Sequence, residues 1–163
     1  MILQNDIENA QSGPLKMKSQ IGEGWVEITL PLETVSEANG GKKVIRMVKG
    51  KRTGKPEHWT EKYRRHKRQK RSVALLLKPL RAHLALPCHI TFTRYAPHKL
   101  DKFDNLPMAF KWILDGCCEI ITGDYRPGRA DDTEEIDVTY KQIISDHYGV
   151  KIHIKMLTNL VDE

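Results

Sequence analysis

The chain has 163 residues, close to the size of one domain, so a second independent core is not expected. Hydrophobic residues make up 39% of the chain and charged residues 29%, which is polar for a globular protein but too apolar for a disordered one. No apolar run exceeds six residues, whereas a membrane-spanning helix needs about twenty, so a transmembrane protein is excluded.

The N-terminal sequence and the cysteines predict a cytoplasmic protein. Residues 1–11 carry Asp6 and Glu8 where a signal peptide would carry positive charge and then an apolar stretch. The three cysteines are odd in number, and Cys117 and Cys118 are adjacent, so no disulfide framework is indicated. We expect free thiols.

Positive charge is concentrated in one segment. Residues 42–71 hold fourteen of the 27 Lys and Arg residues but only two of the 21 Asp and Glu residues, so this segment is at +12 and the rest of the chain at −6. Because such dense charge repels itself, a phosphate backbone is the counter-charge it favours, although a solvated basic face would have the same composition. The predicted nucleic-acid contacts are Lys42, Lys43, Arg46, Lys49, Lys51, Arg52, Arg64, Arg65, Arg68 and Arg71.

The first half of the chain predicts an extension, a strand and a basic flap. Residues 1–24 lack periodicity and are expected to form a flexible extension, followed by a domain over residues 25–157 and a tail over residues 158–163. Trp25–Leu30 alternates apolar with polar residues and ends at a proline, which predicts a strand. Residues 36–55 are rich in Gly and basic residues and predict a flap with a short hairpin.

The second half predicts alternating helices and strands. From residue 57 onward, apolar residues recur every three or four positions, which predicts a helix with a break near Lys78, because Pro79 removes a hydrogen bond. Residues 88–95 alternate as a strand does. Asp104 is predicted to cap a helix of about ten residues that ends at Gly116, before a long connection over residues 117–130.

Residues 136–144 and 149–155 each alternate on either side of a polar tetrapeptide, which predicts a closing β-hairpin. Taken together, these elements predict an α+β fold in which two main helices cover a small mixed sheet.

Acidic residues crowd into residues 98–135, where Asp101, Asp104, Asp131 and Asp132 are the main candidates. Carboxylates brought together without paired bases repel each other, and a divalent cation relieves that repulsion. Oxygen ligands favour Mg²⁺, with Mn²⁺ as the alternative, and such a site is suited to hydrolysing phosphodiesters. The local alternative is that Asp104 caps a helix and the other acids lie in solvated loops.

Several short motifs occur in the order found in one nuclease family: Leu30-Pro31, the basic segment, Ala85-Leu86-Pro87, Asp104-Asn105-Leu106 and Asp131-Asp132. In this order, from Trp25 to about Lys155, the chain resembles the RusA family of Holliday-junction resolvases, small phage- and prophage-associated endonucleases. The resemblance implies a Mg²⁺-dependent endonuclease that acts as a homodimer on four-way DNA junctions in recombination and repair.

The resemblance also implies roles for individual residues. Asp104 and Asp132 would be metal ligands, with Asp101 and Asp131 as helpers. The family has an aspartate two residues before Asp104, where this chain has Lys102, and Asp101 stands three before. It also has a lysine one helical turn after Asp104, where this chain has Met108, so Lys111, on the same helix face, is the substitute.

Two other functional classes fit the same composition. One is a non-catalytic DNA- or RNA-binding module that uses only the basic segment, and the other is a basic scaffold that binds an acidic protein. Metal-dependent nicking of DNA distinguishes the nuclease from both.

Overall fold

The computed structural model describes residues 14–36, 38, 43–126 and 133–157, with only the backbone described for Val44 and Arg46. These residues form seven strands and two α-helices. The strands are β1 (Lys18–Gly22), β2 (Trp25–Leu30), β3 (Lys43–Val48), β4 (Lys51–Pro56), β5 (Cys88–Ala96), β6 (Ile136–Ile144) and β7 (Gly149–Met156), and the helices are α1 (Trp59–Leu77) and α2 (Asn105–Thr122).

Five of the strands form one mixed sheet in the order β1-β2-β7-β5-β6, and β3 and β4 form a separate hairpin. Neighbouring strands are antiparallel except β5 and β6, which are parallel and are joined through α2. This is the crossover connection that parallel neighbours require. The predicted α+β class, with a mixed sheet and two main helices, is confirmed.

The core lies between one face of the sheet and the two helices. Alternate residues of the central strands, including Ile90, Phe92 and Ile152, are fully buried and pack with Leu77 of α1 and Phe110 of α2. The rings of Phe92 and Phe110 are 5.1 Å apart between centroids, in the tilted arrangement that aromatic pairs favour. Both helices pack on this one face of the sheet, and on the opposite face the side chain of Leu15 lies against Gly149 at the start of β7.

Helix α2 is longer than the sequence predicts. It continues to Thr122 and ends at Gly123, whose φ of 75° gives the left-handed conformation common after a helix. Gly116, the predicted stop, is buried in mid-helix, where an added Cβ would lie 3.5 Å from the Cα of Lys70. That distance is ordinary van der Waals contact, so Gly116 packs against α1 within the helix and does not end it, and the predicted connection over residues 117–130 starts too early.

Strands β6 and β7 form where predicted, but the predicted hairpin between them is wrong. Strand β5 lies between them, with Cys88 beside Ile136 of β6 and Met156 of β7. At the other end, the amide of Ser145 donates to the carbonyl of Ala96 at 3.1 Å, where the chain passes the end of β5. Alternation identifies a strand and its buried face, but it does not identify the strand's partner.

The N-terminal extension contains a strand that the sequence does not predict. Strand β1 pairs with β2 through a turn at Gly24, whose φ is 71°. Its residues are mostly exposed, so it lacks the apolar alternation that marks β2. Gly22 lies under the indole of Trp25, and a side chain there would collide with that ring. Residues 1–13 and 158–163 lie outside the described part of the chain.

Other predictions agree with the structure. Helix α1 ends at Leu77 and a 3₁₀ segment follows over Lys78–His83, so the predicted break at Pro79 is confirmed. The three cysteines are free and buried. Burial, with a contribution from Glu135, raises the pKa of Cys88 from 9.0 to about 11, so this thiol is neutral at physiological pH. None of the described helices is long and apolar enough to cross a membrane.

Replacing Phe110 with alanine should destabilise the protein by about 3–5 kcal/mol, because it opens a cavity beside Phe92. Met108→Ala is the control on the same helix, since Met108 is exposed, and it should cost under about 1 kcal/mol. The shift in the urea midpoint at an unchanged m-value measures both effects. Equal shifts would show that Phe110 does not anchor α2.

Candidate functional site

Residues 101–104, between β5 and α2, form an exposed segment that we call the acidic turn. One carboxylate oxygen of Asp101, Oδ1, accepts hydrogen bonds from the amides of Phe103 and Asp104, both at 3.0 Å. The carbonyl of Asp101 accepts from the amide of Leu106 at 2.9 Å. Asp101 therefore satisfies amides at the start of α2 that would otherwise lack partners.

Asp104 occupies the N-cap position of α2, but its side chain makes no capping hydrogen bond. Asp101, three residues earlier, instead accepts from the amides of Phe103 and Asp104 through Oδ1 and from the first-turn amide of Leu106 through its carbonyl. The Asp104 carboxylate is exposed and lies at the positive end of the helix dipole, which stabilises negative charge. It is therefore available to a ligand from solvent.

Three side chains hold the segment that carries the acidic turn. The amide of Leu100 donates to Gln142 Oε1 at 2.9 Å, and Gln142 Nε2 donates to the Leu100 carbonyl at 2.8 Å. Arg94 donates from Nη1 to the carbonyl of His98 at 2.6 Å. Ser36 Oγ donates to Asn105 Oδ1 at 2.7 Å, at the first residue of α2. The turn is thus fixed to the edge strand β6, to β5 and to the segment after β2.

Arg94 is a buried charge beside this segment, with only 5% of its surface exposed. Its Nε donates to Thr34 Oγ1 at 3.0 Å, which adds to the bond with His98. Burial lowers its pKa, and the nearby Tyr148 and Glu33 oppose that effect. An arginine stays protonated at any ordinary pH, so its burial requires these acceptors to remain in place.

The donors of the acidic turn suit a hard cation. Asp101 and Asp104 supply carboxylate oxygens, and the second oxygen of Asp101 is not used in the capping bonds. Mg²⁺ typically takes one or two carboxylates and completes its shell with water and phosphate. Among the described residues, no group of three or more His, Cys, Asp or Glu side chains is placed to hold a metal ion. Asp131 and Asp132, the other predicted ligands, lie outside the described residues.

Lys111 is exposed on the same face of α2 as Asp104, as the sequence predicts. Seven residues of helix separate the two along the axis by about 10 Å. The structure thus places the lysine two turns from the acidic turn, where an extended side chain can approach a phosphate bound near Asp104.

The cationic surface is formed by the β3–β4 hairpin and the outer face of α1. Arg64, Arg68 and Arg71 of α1 are exposed, on the side opposite the buried stripe of Gln69 and Val73. The predicted contacts that the structure leaves exposed are Lys43, Lys49, Lys51, Arg52, Arg64, Arg68 and Arg71. Lys42 lies outside the described residues, as does the side chain of Arg46.

The structure corrects the prediction for Arg65. Its side chain is 6% exposed and its Nη2 lies 2.6 Å from a carboxylate oxygen of Glu57, which is itself 11% exposed. The sequence spacing indicates that Arg65 is buried. It precedes Gln69, Val73 and Leu77 at intervals of four residues, which places all four on the inner face of α1. Arg65 is therefore a structural ion pair and not part of the exposed cationic surface.

Sequence reasoning missed the residues that support the acidic turn. Arg94 follows Ile90 and Phe92 on the buried face of β5, so its alternation already indicated an inward side chain. Gln142 and Ser36 gave no comparable signal, since polar residues at a strand edge or in a loop are common.

No protein-family model matches the chain, and no curated protein matches its sequence.

Replacing Gln142 with leucine should loosen the acidic turn. The substitution keeps the side-chain volume but removes both hydrogen bonds to Leu100, whose backbone groups would lack partners, at a cost of about 1–2 kcal/mol. We expect the Leu100 amide to exchange with deuterium about tenfold faster by NMR. Gln20→Leu on the exposed strand β1 is the control and should leave this amide unchanged. Unchanged exchange in Gln142→Leu would show that β6 does not hold the turn.

Proposed function

We propose that the protein is a Mg²⁺-dependent endonuclease that cleaves branched DNA, of the Holliday-junction resolvase type. The observation that carries the proposal is the exposed pair Asp101 and Asp104 at the start of α2, in a protein whose hairpin and α1 present a dense cationic surface. A carboxylate site for a metal and a surface for a polyanion are the two parts that such a nuclease needs.

The cationic surface supports DNA as the substrate. The hairpin forms a sheet of its own whose described lysines and arginines are exposed, and in α1 Arg64, Arg68 and Arg71 lie on the face opposite the core. Other groups of the protein stabilise these exposed charges only weakly. DNA phosphates would neutralise them, and counterions would be released from the DNA. This contribution is independent of base sequence, as a structure-selective enzyme requires.

The acidic turn supports a metal-dependent reaction. Asp104 would be the principal ligand in this turn, and Asp101 would contribute the oxygen that its capping bonds leave unused. A bound Mg²⁺ supplies charge stabilisation at the phosphoryl group and an acidified water. Asp131 and Asp132 would complete the ligand set, and Lys111 would place positive charge near the cleaved phosphate. Two symmetric cuts across a four-way junction require two such sites, which is why we propose a homodimer.

The second candidate is a non-catalytic nucleic-acid-binding module. It is favoured by the observation that the exposed cations of the hairpin and α1 do not depend on the acidic turn for their position. Both candidates bind DNA, but only the nuclease cuts it when Mg²⁺ is added.

Asp104→Asn should abolish cleavage of a synthetic four-way junction in Mg²⁺ and leave binding to the junction nearly unchanged. The substitution removes a charged ligand but keeps the side-chain shape, and Asp104 makes no capping bond that the fold would lose. Cleavage is followed on a gel, and binding is measured in EDTA. Asp132→Asn should behave in the same way.

Glu23→Gln is the control for this experiment. Glu23 is an exposed acid in the turn between β1 and β2, and its neutralisation changes the net charge by the same amount. It should cleave as the wild-type protein does. Normal cleavage by Asp104→Asn would remove Asp104 from the mechanism, whereas binding without cleavage by the wild-type protein would favour the binding module.

Junction binding should weaken steeply with salt. If about six cations of the hairpin and α1 meet phosphates, log K should fall against log[salt] with a slope of about −5. Arg68→Gln with Arg71→Gln should reduce that slope by about two, while Arg65→Gln should leave it unchanged, because Arg65 is buried against Glu57. The latter variant is compared only after its fold is checked by circular dichroism. A flat salt dependence in the wild-type protein would favour the acidic-protein scaffold.

A further inference from the structure

The face of the sheet opposite the helices carries a regular pattern of polar side chains. Strand pairing places residues from different strands in rows across this face, and the side chains of one row point to the same side. One row crosses all five strands and alternates lysine with threonine. Its members are Lys18 of β1, Thr29 of β2, Lys151 of β7, Thr93 of β5 and Lys141 of β6.

The spacing of the lysine row suits an extended polyanion. Neighbouring strands are about 4.8 Å apart, so successive lysines lie about 10 Å apart and the row is about 19 Å long. One strand of a DNA duplex rises about 3.4 Å per nucleotide, so several phosphates fall within that length. Thr93 is buried at 6% exposure, so the groups of the row that can donate to phosphate oxygens are the three lysine ammonium groups and the Thr29 hydroxyl.

Few acids oppose these cations. Glu27, in the adjacent row, lies 3.9 Å from Lys151 Nζ and 3.3 Å from His153 Nδ1, so it partly neutralises the centre of the face. Lys18 and Lys141, at the two ends of the lysine row, form no ion pair with the described residues. The remaining charged or titratable groups that the five strands place on this face are His89, Tyr95, Asp137 and Lys155. The face therefore has an excess of positive charge.

The lysine row is continuous with the acidic turn. A depression of about 830 Å³ is lined by Thr93, Lys141 and Lys151 of the row and also by Lys102, the residue after Asp101. Gln142, next to Lys141 on β6, lines it too and holds Leu100 just before the turn. A polyanion bound along the row would therefore extend toward the acidic turn, which holds the candidate metal ligands.

We propose that the face of the sheet opposite the helices is a second DNA-binding surface, on which the phosphate backbone of one DNA strand lies along the Lys18–Lys151–Lys141 row. This inference rests on the proposed function, because the strand would lead to the acidic turn. The cationic surface of the hairpin and α1 lies on other elements, so the two surfaces would contact different arms of a branched substrate.

The test is junction binding in EDTA, so that no cleavage occurs. Lys18→Gln with Lys141→Gln should lower the affinity at 0.1 M salt by about tenfold or more and reduce the salt slope by about two. Ser19→Asp is the matched control for Lys18→Gln: the two residues are adjacent on β1 and point to opposite faces, and each change lowers the net charge by one. The control should bind within about twofold of the wild-type protein.

Three results would overturn this proposal. Wild-type affinity in the double lysine variant, together with weak binding by the Arg68/Arg71 variant, would reject the sheet face and leave the proposed function intact. No junction binding by the wild-type protein would reject both. A change of mass in light scattering of the double lysine variant without DNA, at unchanged affinity, would make the face an interface between copies of the chain.

Discussion

Strand β5 is hydrogen-bonded on both sides, and this constraint sets the position of the elements around it. It pairs antiparallel with β7 and parallel with β6, so its backbone from Cys88 to Tyr95 has a strand on each side. The parallel pair requires a long crossover, and α2 supplies it while burying Phe110 on Phe92. Because the crossover starts where β5 ends, the acidic turn lies beside the C-terminal end of that strand.

Two buried arginines hold the segments that precede the acidic turn and the exposed cations of α1. Arg94 binds the carbonyl of His98 just before the acidic turn, and Arg65 binds Glu57 just before α1 begins. Removing one partner of a buried ion pair such as Arg65–Glu57 typically costs about 3–5 kcal/mol. A hydrogen bond to a charged group such as Arg94 contributes about 1.5–3 kcal/mol, so displacing either segment destabilises the fold. The charges inside the protein thus determine where the exposed charges lie.

Much of the fold follows from local pattern, and the errors come from tertiary contacts. Trp25–Leu30 alternates and folds as predicted, and Pro79 breaks the helix because its chemistry is local. Gly116 acts through α1, against which it packs, and β5 separates two strands that are neighbours in sequence. A single sequence does not specify which surface a glycine approaches or which strand lies between two others, so these features were beyond local reasoning.

The two acids of the acidic turn differ in their hydrogen bonds, whereas the sequence left helix capping and metal binding as alternatives for Asp104. A helix start needs acceptors for its free amides, and a metal site needs carboxylates that are not used in this way. Asp101 provides acceptors through Oδ1 and its carbonyl, which leaves Asp104 exposed and without a capping bond at the positive end of α2. The sequence places both acids in one turn. Which of them makes the hydrogen bonds depends on the backbone conformation at Asp104. The turn folds the Asp101 carboxylate back on the amides of Phe103 and Asp104, so two acids three residues apart have different hydrogen-bond partners and different exposure to ligands.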